Sequence, residues 1–367
     1  MIIQQNLRKL LRFLNVWWSI SKLETNISQE AEEVSMLKIK RSLIKMAVAV
    51  LLTVIVLASC APSKPPQQFT LRIGLVGTLS SLPYYVMRDQ GFDKQNGLVI
   101  IEIIHQSADP IFKAIAEGSL DSSPSGGTIS VLQATQDGII PDKVTVVSAN
   151  SFADSEHPIT GVVVANSVSN WKDLEGQYIG VPSKTTTFAA AIIARLLQEG
   201  VKNYIMVEIS VSNTGLAIAS GNIAAGVMVE PYLTQSLLRK DGKLLGWVMG
   251  GPPFEKMEYT ANIFNTNIVR NNPGAVKAYL RAHIEACRWI EKNPDAARSV
   301  LGKKLSLTPE VVKNVRMMRW PPDMRNDPIL LESMQPVLVK AGLLKALIPV
   351  QKLYDETLLE EVLKERK

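Results

Sequence analysis

Hydroxyl-bearing and glycine residues gather in four short segments, 77–84, 123–128, 182–188 and 228–232. They include Thr78, Ser80, Ser81, Ser125, Gly126, Thr128, Ser183, Thr185, Thr186 and Thr187. Such side chains, with the backbone amides beside them, suit capture of a polar group by hydrogen bonds. Tyr84, Phe188 and Tyr232 stand in the same segments and would wall the apolar part of a ligand. The candidate ligand-binding set is Thr78, Ser81, Tyr84, Ser125, Thr128, Thr186, Thr187, Phe188, Glu230 and Tyr232. Each hydroxyl also has a plainer use as a helix cap, and Glu230, ahead of Pro231, would place favourable charge at a helix start. Inside a cleft the Glu230 carboxylate would repel anions and accept hydrogen bonds from an amine or aminopyrimidine. Lys184 would attract an anion, although a lysine in such a loop more commonly points outward. The three histidines, His105, His157 and His283, lie in none of the four segments. Two cysteines, Cys60 and Cys287, are too few for a zinc knuckle or a disulfide framework. No catalytic residue, metal or cofactor is therefore expected. Cys287 shares a helical face with Ala282, Ala286 and Ile290 and reads as a buried small hydrophobe.

The elements that would position these residues are short apolar runs alternating with helical patterns, the mark of an α/β fold. Strands are expected at Phe69 to Val76, Val99 to His105, Leu120 to Ser123 and Lys143 to Ser148. Helices are expected at Pro83 to Lys94, from Asp109 to Gly118, and from Gly126 to Asp137. The syntax then recurs with strand Tyr178 to Val181, helix Thr187 to Gln198, strand Ile205 to Ile209, helix Leu216 to Gly221 and strand Ile223 to Val229. Tyr178–Val181 echoes Leu71–Gly74, a weak internal duplication that predicts two similar lobes. Beyond the carboxyl ends of such strands lie the helix N-termini, where ligands bind in open α/β sheets. That rule selects the four segments above and places them face to face. A mostly helical tail starts at Asn272-Pro273. The strand Tyr259 to Phe264 precedes it, so the chain is expected to cross out near 151–160 and back near 258–266. The expected organisation is 69–152 with 265–367 as the first lobe and 153–264 as the second.

At 367 residues the chain is long for one domain and comfortable for two lobes sharing a hinge. Its formal charge is +6, yet eight Lys/Arg and four Asp/Glu fall in residues 1–59, leaving 32 against 30 beyond. The body is nearly neutral and has no basic face with interleaved aromatics, which argues against a nucleic-acid partner. Lys38, Lys40, Arg41 and Lys45 precede the apolar run Met46 to Leu57, which ends in Leu57-Ala58-Ser59-Cys60. This is the order of an export signal: charged segment, apolar segment, small-residue processing site. The apolar run is shorter than the roughly 20 residues of a spanning helix. Leu-Ala-Ser-Cys resembles the lipobox of bacterial lipoproteins, in which the cysteine is lipidated and becomes the mature N-terminus. Residues 36–60 are thus read as a lipoprotein signal, with Cys60 as membrane anchor, and proline-rich 61–68 as a tether. Residues 1–35 are read as an upstream extension arising from a misassigned start. The other reading is an amphipathic segment bearing Leu7, Leu10, Leu11 and Leu14 near Trp17 and Trp18.

Five stretches carry a family resemblance: Leu82-Pro83-Tyr84-Tyr85-Val86 through Gly91-Phe92, Ala114 to Asp121, Trp171 to Gly176, Met228 to Tyr232, and Asn272 to Val276. In this order, behind a lipobox, they resemble the solute-binding proteins of ABC importers of the nitrate, sulfonate, taurine and thiamine-pyrimidine type. The resemblance implies a two-lobed, type II periplasmic-binding fold that closes on a small-molecule ligand. It also implies delivery to a membrane permease with its ATPase, on the extracytoplasmic side of the membrane. It leaves the solute open. The first cleft segment lacks an arginine to pair with a sulfonate. Enzymes of pyrimidine synthesis and of the menaquinone pathway use related folds and form the alternative, but they are cytoplasmic, unlike a chain with an export signal.

Overall fold

The structure, a computed structural model, describes residues 11, 12, 14–22, 36, 42, 43, 45–47, 68–106, 108–184 and 186–365. The chain forms two compact units, 1–66 and 67–367. In the first unit the described residues are helical, and Leu11, Leu14, Trp17 and Trp18 are exposed. The processing site and Cys60 lie outside the described residues. Among the described residues no helix is long and apolar enough to cross a membrane.

The second unit is built on two five-stranded sheets. The first begins with β1 (Phe69–Val76), whose buried Leu71, Ile73 and Leu75 alternate along the strand. Helix α1 (Leu82–Asp89) follows, with a proline at its first turn, where the missing N–H costs nothing. The expected helix Pro83 to Lys94 is broken at Gly91, whose φ of 72° is left-handed, and resumes as α2 (Phe92–Gln95). Then come β2 (Leu98–His105), α3 (Asp109–Ala116), β3 (Ser122–Gly127), α4 (Thr128–Gln136) and β4 (Val144–Ala153). The chain crosses to the second sheet through β5 (Thr160–Val164), β6 (Tyr178–Val181), α5 (Thr187–Gln198), β7 (Ile205–Glu208), α6 (Thr214–Ala219), β8 (Ala225–Val229), α7 (Tyr232–Arg239) and β9 (Lys243–Met249). It returns through β10 (Met257–Asn265) to a tail of helices: α8 (Thr266–Asn271), α9 (Pro273–Lys292), α10 (Pro294–Lys304), α11 (Pro309–Asn314), α12 (Pro328–Lys340) and α13 (Thr357–Lys364).

The strand orders are β2-β1-β3-β10-β4 and β7-β6-β8-β5-β9. In each sheet three parallel strands are followed by an antiparallel strand that has just crossed from the other sheet. This corrects the expected second crossing. Strand β10 pairs with β4 from Met257 to Asn265 and with β3 from Thr260 to Phe264, so the return lies between Met249 and Met257, ahead of the strand. Pairing with β4 from the first residue of β10 is the reason. Strands β5 and β9 were not anticipated.

Helix α9 buries Tyr279, Leu280, His283, Ile284 and Cys287 against the first sheet and α1. Cys287 is the buried thiol expected. The tail also touches the second lobe, α11 against α7 and α12 against α5.

Candidate functional site

The cleft opens where the carboxyl ends of the parallel strands of both sheets meet. Its first-lobe wall carries Thr78 and Ser80 after β1, Ser125 and Gly127 from β3, Ser130 in α4, and Tyr259 and Thr260 from β10. Its second-lobe wall carries Pro182 after β6, Thr186 to Phe188 at the start of α5, and Val211. Val76, Gln106 and Ala108 complete a lining around a space of about 40 Å³ open to the centre of a water-sized sphere, so with the lobes in contact the cleft holds no more than a very small ligand or a few water molecules.

The lobes touch. Thr187 Oγ1 lies 3.4 Å from Ser130 Oγ, and the Phe188 and Tyr259 rings stand 6.3 Å apart at 60°. Beside the cleft, the Leu79 N–H donates to the Glu230 carbonyl at 3.1 Å and the Tyr232 hydroxyl to the Gly77 carbonyl at 3.0 Å. Gly127 is where the approach is tightest, since a Cβ there would stand 2.4 Å from Thr187 Oγ1.

Three of the four expected segments reach the lining. Thr78 Oγ1 lies 2.9 Å from Ser80 Oγ, and the Ser125 N–H donates to Ser123 Oγ at 3.0 Å. Thr186 faces the cleft but is also the N-cap of α5: its hydroxyl donates to the Ser183 carbonyl at 2.8 Å and accepts from the Ala189 N–H at 3.4 Å. Thr187, one residue on, has no such bond to the backbone of its helix and leans across to the other lobe.

The other expected residues sit elsewhere. Ser81 lies under the cleft, donating to the Val76 carbonyl at 2.8 Å, 3.4 Å from Ser125 Oγ. Thr128, at the first turn of α4, is buried with its hydroxyl unpartnered and outside the lining. Tyr84 does not wall the cleft. Helix α1 turns it into the first-lobe core, where its hydroxyl donates to Glu102 at 3.1 Å. Glu230 is fully buried and turned from the cleft. It accepts from the Thr234 N–H at 3.2 Å, the Thr234 hydroxyl at 2.8 Å and the Arg316 N–H at 3.4 Å. Burial raises its pKa above the ordinary carboxylate range. It thus holds a helix start and the tail. Tyr232 is likewise spent on the Gly77 carbonyl.

Tyr259 and Thr260 fall outside the rule that ligands bind beyond the carboxyl ends of parallel strands. β10 runs the other way, with Thr260 opposite Gly127, so its first residues arrive at the cleft end of the sheet. Gln106 and Ala108 follow β2 directly, and the same rule applied to that strand would have found them. Among the described lining residues none is Asp, Glu, Lys, Arg or His. Burial pushes the Tyr259 phenol well above its ordinary value, keeping it neutral.

Comparison with known proteins bears on this arrangement. No curated protein matches the chain. Among solved structures, the periplasmic nitrate-binding protein NrtA from Synechocystis PCC 6803 superposes with a TM-score of 0.67 at 16% identity, over 82% of this chain and 90% of that one. The alkanesulfonate-binding protein SsuA from Xanthomonas axonopodis pv. citri, bound to MOPS, gives 0.62 at 16% identity over 80% and 99%. The desulfurization enzyme DSZB gives 0.60 at 15% identity over 82% and 100%. At these identities the likeness shows the fold, the two-lobed periplasmic-binding architecture, and one fold can host unrelated functions. The sequence match is more specific: residues 64–303, well over half of the chain, match the NMT1-like family, and the chain belongs to that family.

Proposed function

We propose that this chain is an extracytoplasmic solute-binding protein that captures a small molecule by closing its two lobes and delivers it to an ABC importer. The observation that carries the reading is the cleft itself: hydroxyls and two aromatic rings, drawn from both lobes, line one space between them. Closure lets Ser125, Gly127 and Thr260 on one lobe and Thr187 and Phe188 on the other touch one ligand together, and that differential contact supplies the energy of closing. Hinge closure around a ligand is a known form of switching in periplasmic binding proteins. Two of the structural neighbours are named for nitrate and alkanesulfonate binding, and an oxyanion or an aminopyrimidine is the solute class to test first.

Cys60 is the proposed lipid anchor, the segment 61–68 its tether, and the permease with its ATPase the partner. These rest on the Leu57-to-Cys60 motif and the family. Replacing Cys60 by Ala should leave the precursor unprocessed, and unchanged palmitate incorporation would remove the anchor from the reading.

The test of the function is a thermal-shift screen of nitrate, methanesulfonate, taurine and 4-amino-2-methylpyrimidine. A ligand at a hundredfold its dissociation constant stabilises by about 2.7 kcal/mol. No shift with any of them, or chemical turnover of one detected by mass spectrometry, would count against transport and towards an enzymatic use of the fold such as DSZB represents.

A further inference from the structure

We infer that Asn150, held by His283, is the positioning residue of the cleft, fixing the first-lobe wall before any ligand arrives. The inference rests on the reading of the cleft as the ligand site. Asn150 is fully buried on β4. Its amide nitrogen lies 3.0 Å from the Ser80 carbonyl, 2.9 Å from the Pro124 carbonyl and 3.0 Å from Thr260 Oγ1. These acceptors belong to the three separate segments that make the first-lobe wall. Pro124 lies opposite the register shift between Ala261 and Ile263, and the side-chain amide serves its carbonyl. Removing that amide would strand buried carbonyl oxygens, which is costly where water cannot reach them.

The other end of the amide faces α9. Asn150 Oδ1 lies 2.9 Å from His283 Nε2, while His283 Nδ1 is buried with no partner. An acceptor oxygen on one nitrogen and nothing on the other selects the neutral Nε2–H tautomer. Burial lowers the His283 pKa to about 3, which keeps the ring a single-proton donor. The ring therefore orients Asn150 with its nitrogen towards the cleft.

The same helix supplies an internal control. One turn back, the Tyr279 ring lies 5.3 Å from that of His283, and its hydroxyl donates to Asn262 Oδ1 at 2.8 Å. Asn262 in turn donates to Ser148 Oγ and the Ala149 carbonyl. Both pairs are buried ring-to-amide bonds from α9 into the sheet, and the Asn150 amide bonds to the cleft-wall segments, whereas the Asn262 amide donates from β10 to Ser148 and Ala149 of β4.

The test is hydrogen exchange of the full chain without ligand. Asn150→Ala and His283→Leu should speed exchange at 78–82 and 123–128 at least tenfold, leaving β6 and β8 within twofold. His283→Gln should restore protection, because its amide N–H can reach Asn150 Oδ1 where Nε2 does. Tyr279→Phe should leave the cleft segments unchanged. A uniform rise throughout the first lobe in Asn150→Ala, or no rise at the cleft, would overturn the inference. Nitrogen-15 spectra of histidine in the wild-type chain need no variant to fold, and a Nδ1–H tautomer at His283 would equally overturn it. Whichever of nitrate, methanesulfonate and 4-amino-2-methylpyrimidine shifts the wild type should bind Asn150→Ala at least tenfold more weakly. If none shifts it, the reading of the cleft fails, while the exchange data still decide on Asn150.

Discussion

In the first lobe the third strand of the sheet is Ser122–Gly127, all six residues buried and three of them serines. In the second lobe the strand in the same place is Ala225–Val229, equally buried and without a polar side chain. The contrast extends outward. Below the serines, Asn150, Ser151, Thr260 and His283 form a continuous buried network, whereas the second-lobe wall takes its polar groups from the start of one helix, at Thr186 and Thr187. Buried polar groups are costly unless they are hydrogen-bonded. The first-lobe wall is therefore braced by a buried polar network, while the second-lobe wall stands on an apolar strand.

Each lobe also buries one acid that receives a backbone N–H from the tail, and the largest expected effect lies there. Glu258, in the first lobe, accepts from the Asp327 N–H at 3.0 Å. Burial, followed by the charges of Glu356 and Asp327, raises its pKa from 4.5 to about 8 against the opposing effect of that bond. A raised acid holds a proton in the folded chain that the unfolded chain has lost, so stability should fall as pH rises from about 4.5 to about 8, by on the order of 5 kcal/mol. Urea titrations across that range should flatten in Glu258→Gln, and much less in Glu230→Gln, whose acid has Thr234 as a second partner. Equal flattening would erase the distinction.

Closure is probed next. Gly127→Val would drive a side chain into Thr187 and hold the lobes apart, weakening binding of any cleft ligand at least a hundredfold. The ligand-free variant should stay folded and show a larger radius of gyration on ligand addition than the wild type. Wild-type affinity would mean that the lobes do not meet at Gly127.

Tyr279→Phe should cost about 2 kcal/mol in urea, because Asn262 Oδ1 is left buried without its donor. A loss near zero would show that Asn262 Oδ1 finds another donor once the phenol is gone. The smallest effect separates two adjacent hydroxyls. Thr186→Ala removes a helix cap and should cost about 1 kcal/mol of stability, whereas Thr187→Ala should leave stability nearly unchanged and weaken ligand binding. Equal losses of stability would place both residues in the helix rather than the site.

Much of the frame was legible in the sequence. Period, proline and glycine placed β1, β6, α5 and the long α9 within a residue or two, because those signals act over a single turn or a single strand. Strands β5, Thr-Gly-Val-Val-Val, and β9 were not readable. β5 is buried on both faces, so it shows no alternation and cannot be told from any other short apolar run. The site was legible as segments and not as atoms. Tyr84 and Phe188 both follow a hydroxyl-rich turn into a helix, and nothing local separates the one that enters the core from the one that faces Tyr259. Thr186 and Thr187 differ only by position in a cap.

What the sequence determined by itself is the class of fold, the order of the elements and the hydroxyl-bearing character of the cleft, since each follows from interactions between near neighbours. What only the tertiary structure decided is which of those groups are left for a ligand. Asn150 shows why: its four partners, Pro124, Ser80, Thr260 and His283, stand 26, 70, 110 and 133 residues away along the chain. Whether a buried polar atom is satisfied depends on which distant segments arrive beside it, and that is known only when the sheets have closed around it.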